Sequence, residues 1–118
     1  MKYIFLVLIC FSTSSIIAQD KATYDKVSKT FQENFNAQNI DAIFDLYTTE
    51  MQKEMTKEGV KRFVNGCHDQ FGKLKGFTFI EAAEGIYSYD VEFDKLTLVM
   101  ELQLNKEGKI SAIQFQES

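Results

Sequence analysis

Glu81, Tyr87 and Tyr89 are the residues of this chain whose types and spacing come nearest to a reactive set. A carboxylate and a phenol projecting into an apolar cavity can move a proton, one as base and the other as hydrogen-bond donor, because burial raises the carboxylate pKa and strengthens each hydrogen bond. Tyr87 and Tyr89 alternate along one run and share a face. Strict alternation places Glu81 on the face of Phe77, Phe79 and Ala83, where a charge is costly unless paired or facing a cavity. A bulge would instead turn it outward. Tyr47, His68 and Met100 are further candidates to line a pocket; the alternative is an ordinary core position for Tyr47 and Met100 and a flank or surface position for His68. His68, the single histidine, follows Cys67 on a helical stretch, so the two side chains diverge by about 100°. That pair does not make a zinc site, which needs three or four convergent ligands. No nucleophile–histidine–carboxylate set can be argued from spacing, phosphate-cradling glycine loops are missing, and no cofactor is implied.

The elements that must position these residues are legible as a change of period. Tyr24, Val27, Phe31 and Phe35 form one apolar stripe and predict a helix over 21–37. Asn39 caps a second helix whose inner face is Ile40, Ile43, Phe44 and Tyr47, and Asp41 in its first turn suits the helix dipole. Residues 48–55 read as a frayed end or a short further turn. Thr56 caps a third helix carrying Val60, Phe63, Val64, Cys67 and Phe71, and Gly72 closes it. After Gly76 the period becomes two. Strands are expected over 77–80, over 87–93, over 96–104 as the longest, and over 110–116. Glu84-Gly85, Asp94-Lys95 and Asn105 to Gly108 are the turns, short enough to force antiparallel pairing. The expected fold is therefore α+β: three N-terminal helices packed on one face of a curved four-stranded antiparallel meander. The third helix is the natural lid, and Asp90, Glu92 and Glu101 fall on the solvated face.

Residues 1–18 read as a secretory signal peptide: Lys2, an apolar run from Tyr3 to Phe11, and Ala18 at a plausible cleavage point. The run is too short to span a bilayer, which takes roughly 20 apolar residues. The mature part, 19–118, is then a single domain working in the periplasm or outside the cell, with no membrane insertion after signal removal. Cys10 leaves with the signal. Ile9 stands before it, where lipidation signals want a small residue. Cys67 remains as a lone thiol, either buried and inert or engaged between chains. Acidic residues outnumber basic ones 17 to 13, and the balance sharpens to 17 to 12 once Lys2 is set aside. Such a surface repels phosphate backbones, which argues against nucleic acid as a partner.

Three segments carry a resemblance. Phe35 to Ile43, a polar break followed by an aliphatic helix, is similar to the first helix junction of the nuclear transport factor 2-like superfamily. Phe71-Gly72-Lys73-Leu74-Lys75-Gly76-Phe77 and the closing hairpin Asn105 to Ile113 resemble a bacterial domain family of unknown function within that superfamily. The resemblance covers about residues 24–116. It implies a cone of helices closed by a bent sheet, and a secreted or lipid-anchored accessory domain. Its motifs are structural rather than catalytic. The function expected is a non-catalytic domain that binds a small apolar ligand or a protein partner through its cone or sheet. A homodimer through the outer sheet face at Thr97 and Val99 belongs to the same reading. The alternative is a small proton-transfer enzyme, an isomerase or dehydratase, with Glu81 as base and Tyr87 or Tyr89 as donor.

Overall fold

The structure, a computed structural model, describes residues 20–117; the expected signal peptide and Cys10 lie outside them. Four helices precede four strands. Helix α1 spans Lys21–Ala37, α2 Ile40–Asp45, α3 Thr49–Glu54 and α4 Lys57–Phe71. Strands β1 (Leu74–Ala83), β2 (Ile86–Phe93), β3 (Thr97–Leu104) and β4 (Ile110–Glu117) form one open antiparallel sheet in sequential order.

Each helix starts at a side-chain cap. Asp20 accepts from Thr23 N, Asn39 from Ala42 N, Thr48 from Met51 N and Thr56 from Gly59 N. Every one of these bonds satisfies an N–H that the first helical turn leaves unpaired. The expected helix count is thereby corrected from three to four. Residues 49–54, read as a frayed end or a short further turn, form a short helix of their own because Thr48 restarts the chain. Tyr47 falls outside α2 for the same reason. It makes an isolated parallel bridge with Ile110, Thr48 N donating to Ile110 O and Ile110 N to Leu46 O. The longest strand is also not the one expected. It is β1, which begins at Leu74 rather than Phe77.

Helices α1 and α4 cover one face of the sheet. The stripe of α1 buries Tyr24, Phe31 and Phe35, and α4 buries Val60 and Val64. The opposing sheet face is the expected alternating row: Tyr89, Val91 and Phe93 on β2, with Leu98, Met100, Leu102 and Leu104 on β3. The space between is filled by aromatic rings. Phe35 meets Phe93 edge-on at 5.8 Å, and Phe31 lies 6.2 Å from Phe115. Phe63 stacks on Phe115 at 5.7 Å and Phe71 lies 5.5 Å from Phe93. Such pairs add roughly 0.5–1.5 kcal/mol each beyond the area they bury.

The entry of β1 is fastened to α1. Asn36 Nδ2 and Gln32 Nε2 both donate to Leu74 O, at 2.9 and 3.1 Å, while Leu74 N donates to Asn36 Oδ1 at 2.8 Å. Register shifts then interrupt β1 against β2, one between Leu74 and Gly76 and one between Phe79 and Glu81. The second leaves Ile80 unmatched and reverses the facing of all that follows.

Gly72 ends α4 with φ at +88°, and a Cβ placed there would stand 2.6 Å from Cβ of Asp94. Asp94 is held in place because its carboxylate accepts from Lys73 N at 2.9 Å. Gly72→Ala therefore combines a disfavoured backbone with a clash. It is expected to lower stability by about 1–3 kcal/mol, measured as a shift in the urea midpoint with unchanged slope.

Candidate functional site

The six candidate residues do not gather in one place. Met100 is 1% exposed and belongs to the core. Tyr87 lies half-buried under Tyr24, the two rings stacked at 3.8 Å. His68 packs its ring 5.9 Å from Phe35, with Nε2 buried and without a hydrogen-bond partner among the described residues. Glu81 is exposed, opposite Ser88 on the solvated face. Strict alternation is overturned there by the Ile80 bulge, which hands the inner position to Ala82, opposite Tyr87. A solvated Glu81 lacks the apolar cavity that a buried base requires.

Tyr47 is buried at the border of a polar cleft between the α2–α3 junction and the hairpin before β4, beside Asp45, Gln52, Asn105 and Lys109. Its hydroxyl has no partner among the described residues. Burial pushes its phenol up to about 12.

Tyr89 is the candidate that meets other functional groups. Its hydroxyl donates to Asp25 Oδ1 at 3.1 Å, and Lys21 Nζ donates to the other oxygen of the same carboxylate at 2.8 Å. These groups border a cleft of about 360 Å³ between α1 and β1. Lys21, Asp25, Ser28, Lys29 and Gln32 come from one flank of α1, each three or four residues from another of the set, so the helix repeat alone aligns them. Phe77 and Phe79 come from the inner face of β1 and stand edge-on to the Tyr89 ring at 5.7 and 5.9 Å. Lys21 Nζ also lies 5.1 Å from the centre of the Phe79 ring, a cation–π contact that holds the ammonium at the cleft mouth.

The electrostatics favour holding over reacting. Burial pushes the Tyr89 phenol well above its ordinary value; the nearby Ser28 hydroxyl opposes that rise and the Asp25 carboxylate adds to it. A phenol so shifted gives up no proton near neutrality, and both oxygens of the Asp25 carboxylate are already hydrogen-bonded. Ser28 Oγ is buried beside Tyr89 without hydrogen-bonding geometry to any described group. Gln32 gives its amide N–H to Leu74 O, which leaves its own amide oxygen for other contacts. The cleft thus has an aromatic floor, a cationic mouth and a small number of polar groups. Among the described residues no three His, Cys, Asp or Glu side chains gather to hold a metal ion. Cys67 is half-buried, and burial pushes its thiol up, away from the thiolate form that reacts.

Asp25, Ser28, Lys21 and Lys29 were not singled out by the sequence reading. Ser28 carried a usable signal, since it stands one turn from Tyr24 on the stripe that continues to Phe31, where an apolar residue is the norm.

A family described as "Protein of unknown function (DUF3887)" matches residues 28–113. No curated protein and no solved structure matches the chain.

The buried phenols make alkaline stability a test of this geometry. A tyrosine whose folded pKa lies above its unfolded value of about 10 keeps its proton in the native state while the unfolded state loses it, so stability falls as pH rises past 10. Tyr47→Phe is expected to keep or slightly raise stability at pH 7, because it deletes a buried hydroxyl with no partner. It should also remove on the order of 2 kcal/mol of the loss between pH 10 and 12. Denaturation midpoints of the two proteins across that pH range check it.

Proposed function

From the premise that the chain belongs to the DUF3887 family of proteins of unknown function, we propose that it is a non-catalytic, extracytoplasmic binding domain of nuclear transport factor 2-like build. Its ligand is small and amphipathic, with an aromatic or apolar body and an anionic or acceptor group, and it sits in the cleft between α1 and β1. The observation that carries this reading is the pairing, in one concave site, of the Phe77–Phe79 floor with the unpartnered Ser28 hydroxyl and the Lys29 ammonium. Two aromatic faces beside convergent charged and polar groups suit an amphipathic molecule, and about 360 Å³ lies within the usual range for a small-molecule site. The aromatic filling between sheet and helices supports a ligand at this border rather than in the centre of the fold. The solvated position of Glu81 gives the proton-transfer alternative no support.

The extracytoplasmic setting rests on residues 1–18 as a signal peptide. The superfamily assignment rests on the resemblances around Phe35, Phe71 and Asn105, supported by the helices packed on one face of a meander.

Anilinonaphthalene sulfonate, an aromatic anion, is a suitable probe. Its fluorescence should rise saturably with the folded protein. Phe79→Ala and Lys29→Glu should each weaken binding about tenfold, through lost apolar contact and reversed charge respectively, with the far-ultraviolet circular dichroism unchanged. Absence of saturable binding, or binding that both variants leave untouched, overturns the reading.

A further inference from the structure

Strand β1 borders the sheet, with β2 on one side only. On the other side, Asn36 and Gln32 of α1 occupy the backbone of Leu74 and stop there. From Gly76 to Ala83 the outer backbone edge has no partner among the described residues. Such an edge is a template for another strand. It is also apolar: Phe79 is 37% exposed and Ile80 46%. The opposite border, β4, differs on both counts. Its first residue is closed by the bridge to Tyr47, and its exposed side chains are mostly polar.

The sequence of β1 says which strand fits. Phe77 and Phe79 lie on the inner face, and Gly76 and Thr78 on the outer. In an antiparallel pair, residues directly opposite share a face. A second copy pairing about a two-fold axis must therefore set one residue opposite itself, and the regular stretch between the unmatched Lys75 and Ile80 offers Phe77, Thr78 or Phe79 as that centre. Centring on Phe77 sets Lys75 against Phe79, and centring on Phe79 sets Glu81 against Phe77. Centring on Thr78 sets Lys75 against Glu81 at both ends and Phe77 against Phe79 between them. Only this last register sets each charge against its opposite and each ring against a ring, with Lys75, whose ammonium also lies 3.9 Å from Glu92 of its own chain, shared between that carboxylate and the second copy's Glu81. The overall charge of −4 opposes self-association, so a local segment in which Lys75 balances Glu81 is where two copies can approach.

We infer that a second copy of this chain docks on β1, strand to strand and antiparallel, about a two-fold axis through Thr78, joining the two sheets into one of eight strands. Lys75 of each copy then faces the partner's Glu81. Burial of Phe79 and Ile80 supplies the apolar gain, and the ion pairs fix the register. This differs from a dimer through the outer sheet face at Thr97 and Val99. That face carries Asp90, Glu92 and Glu101, and two such faces would repel.

Sedimentation equilibrium of the purified protein over a concentration series, up to about 1 mM, is the test. A reversible dimer is expected. Lys75→Glu should weaken it on the order of tenfold, since two attractive pairs become repulsive, and adding Glu81→Lys should restore it. Thr78→Cys in a Cys67→Ser background should form a disulfide-linked dimer on mild oxidation, because only a residue on the axis meets its own copy. A monomer at every concentration overturns the inference. So does a dimer that ignores the charge swaps and yields no link at position 78. Lys75, Thr78 and Glu81 do not line the cleft between α1 and β1, so failure here leaves probe binding there unaffected.

Discussion

The structure depends on how helix α1 is fixed to the sheet. Its apolar stripe sets Tyr24, Phe31 and Phe35 against the sheet face, and each of the three is at most 2% exposed. Burying three aromatic side chains supplies several kcal/mol in a domain whose whole net stability is about 5–15 kcal/mol. The stripe is not directional by itself, so polar groups along the helix set the register. Near one end the Tyr24 hydroxyl donates to Gly85 O and accepts from Leu104 N, tying the β1–β2 turn to the end of β3. Towards the other, Asn36 and Gln32 hold Leu74 as a neighbouring strand would. These bonds satisfy backbone groups that burial would otherwise leave unpaired.

Where α1 lets go of β1, the strand acquires its special features. Past Leu74 the helix no longer occupies the strand edge, and the gap between them widens into the cleft floored by Phe77 and Phe79. The bulge at Ile80 follows one residue later. Without it, Glu81 would fall on the face of Phe79 and Tyr87. With it, Glu81 joins the opposite, solvated face, and the exposed Ala82 stands across from Tyr87. One unmatched residue therefore turns the carboxylate away from that face and leaves the cleft with Asp25, whose two oxygens are both engaged.

Much of this was readable in the chain. Helices α1 and α4 follow from stripes long enough to average out exceptions, and the meander follows from the alternation in Tyr87 to Phe93 and Leu98 to Leu104. Helix α3 was not legible as a helix, because it buries no residue and so has no stripe; Thr48 as a cap was its single signal. The facing of Glu81 was legible as two alternatives, inward by strict alternation or outward by a bulge at the strand end, and the outward one is what the structure has. The position of the bulge itself was not legible, because it changes parity without a residue type that announces it. The cleft lay hidden for another reason. Its polar members sit on the flank of α1, where Lys and Asp are the ordinary furniture of a solvated helix, and only the tertiary position of Phe77, Phe79 and Tyr89 makes them a site. Ser28 is the exception, a small polar residue in an aromatic stripe.

The chemistry of the cleft follows from that origin. A helix flank supplies charges that are solvated by default. The group that burial changes most is Tyr89, and the change makes it a poorer acid, suited to donating a hydrogen bond and keeping its proton. Asp25 is neutralised on one side by Lys21 and bonded on the other by that phenol. What remains is the Ser28 hydroxyl, the Lys29 charge and two aromatic faces, the set on which the proposed anion with an apolar body would rest. The open edge of β1 beside it has the same cause, since α1 fastens only the first residue of that strand. The proposed binding cleft and the proposed pairing edge both lie where α1 packs on the face of the sheet without covering its border.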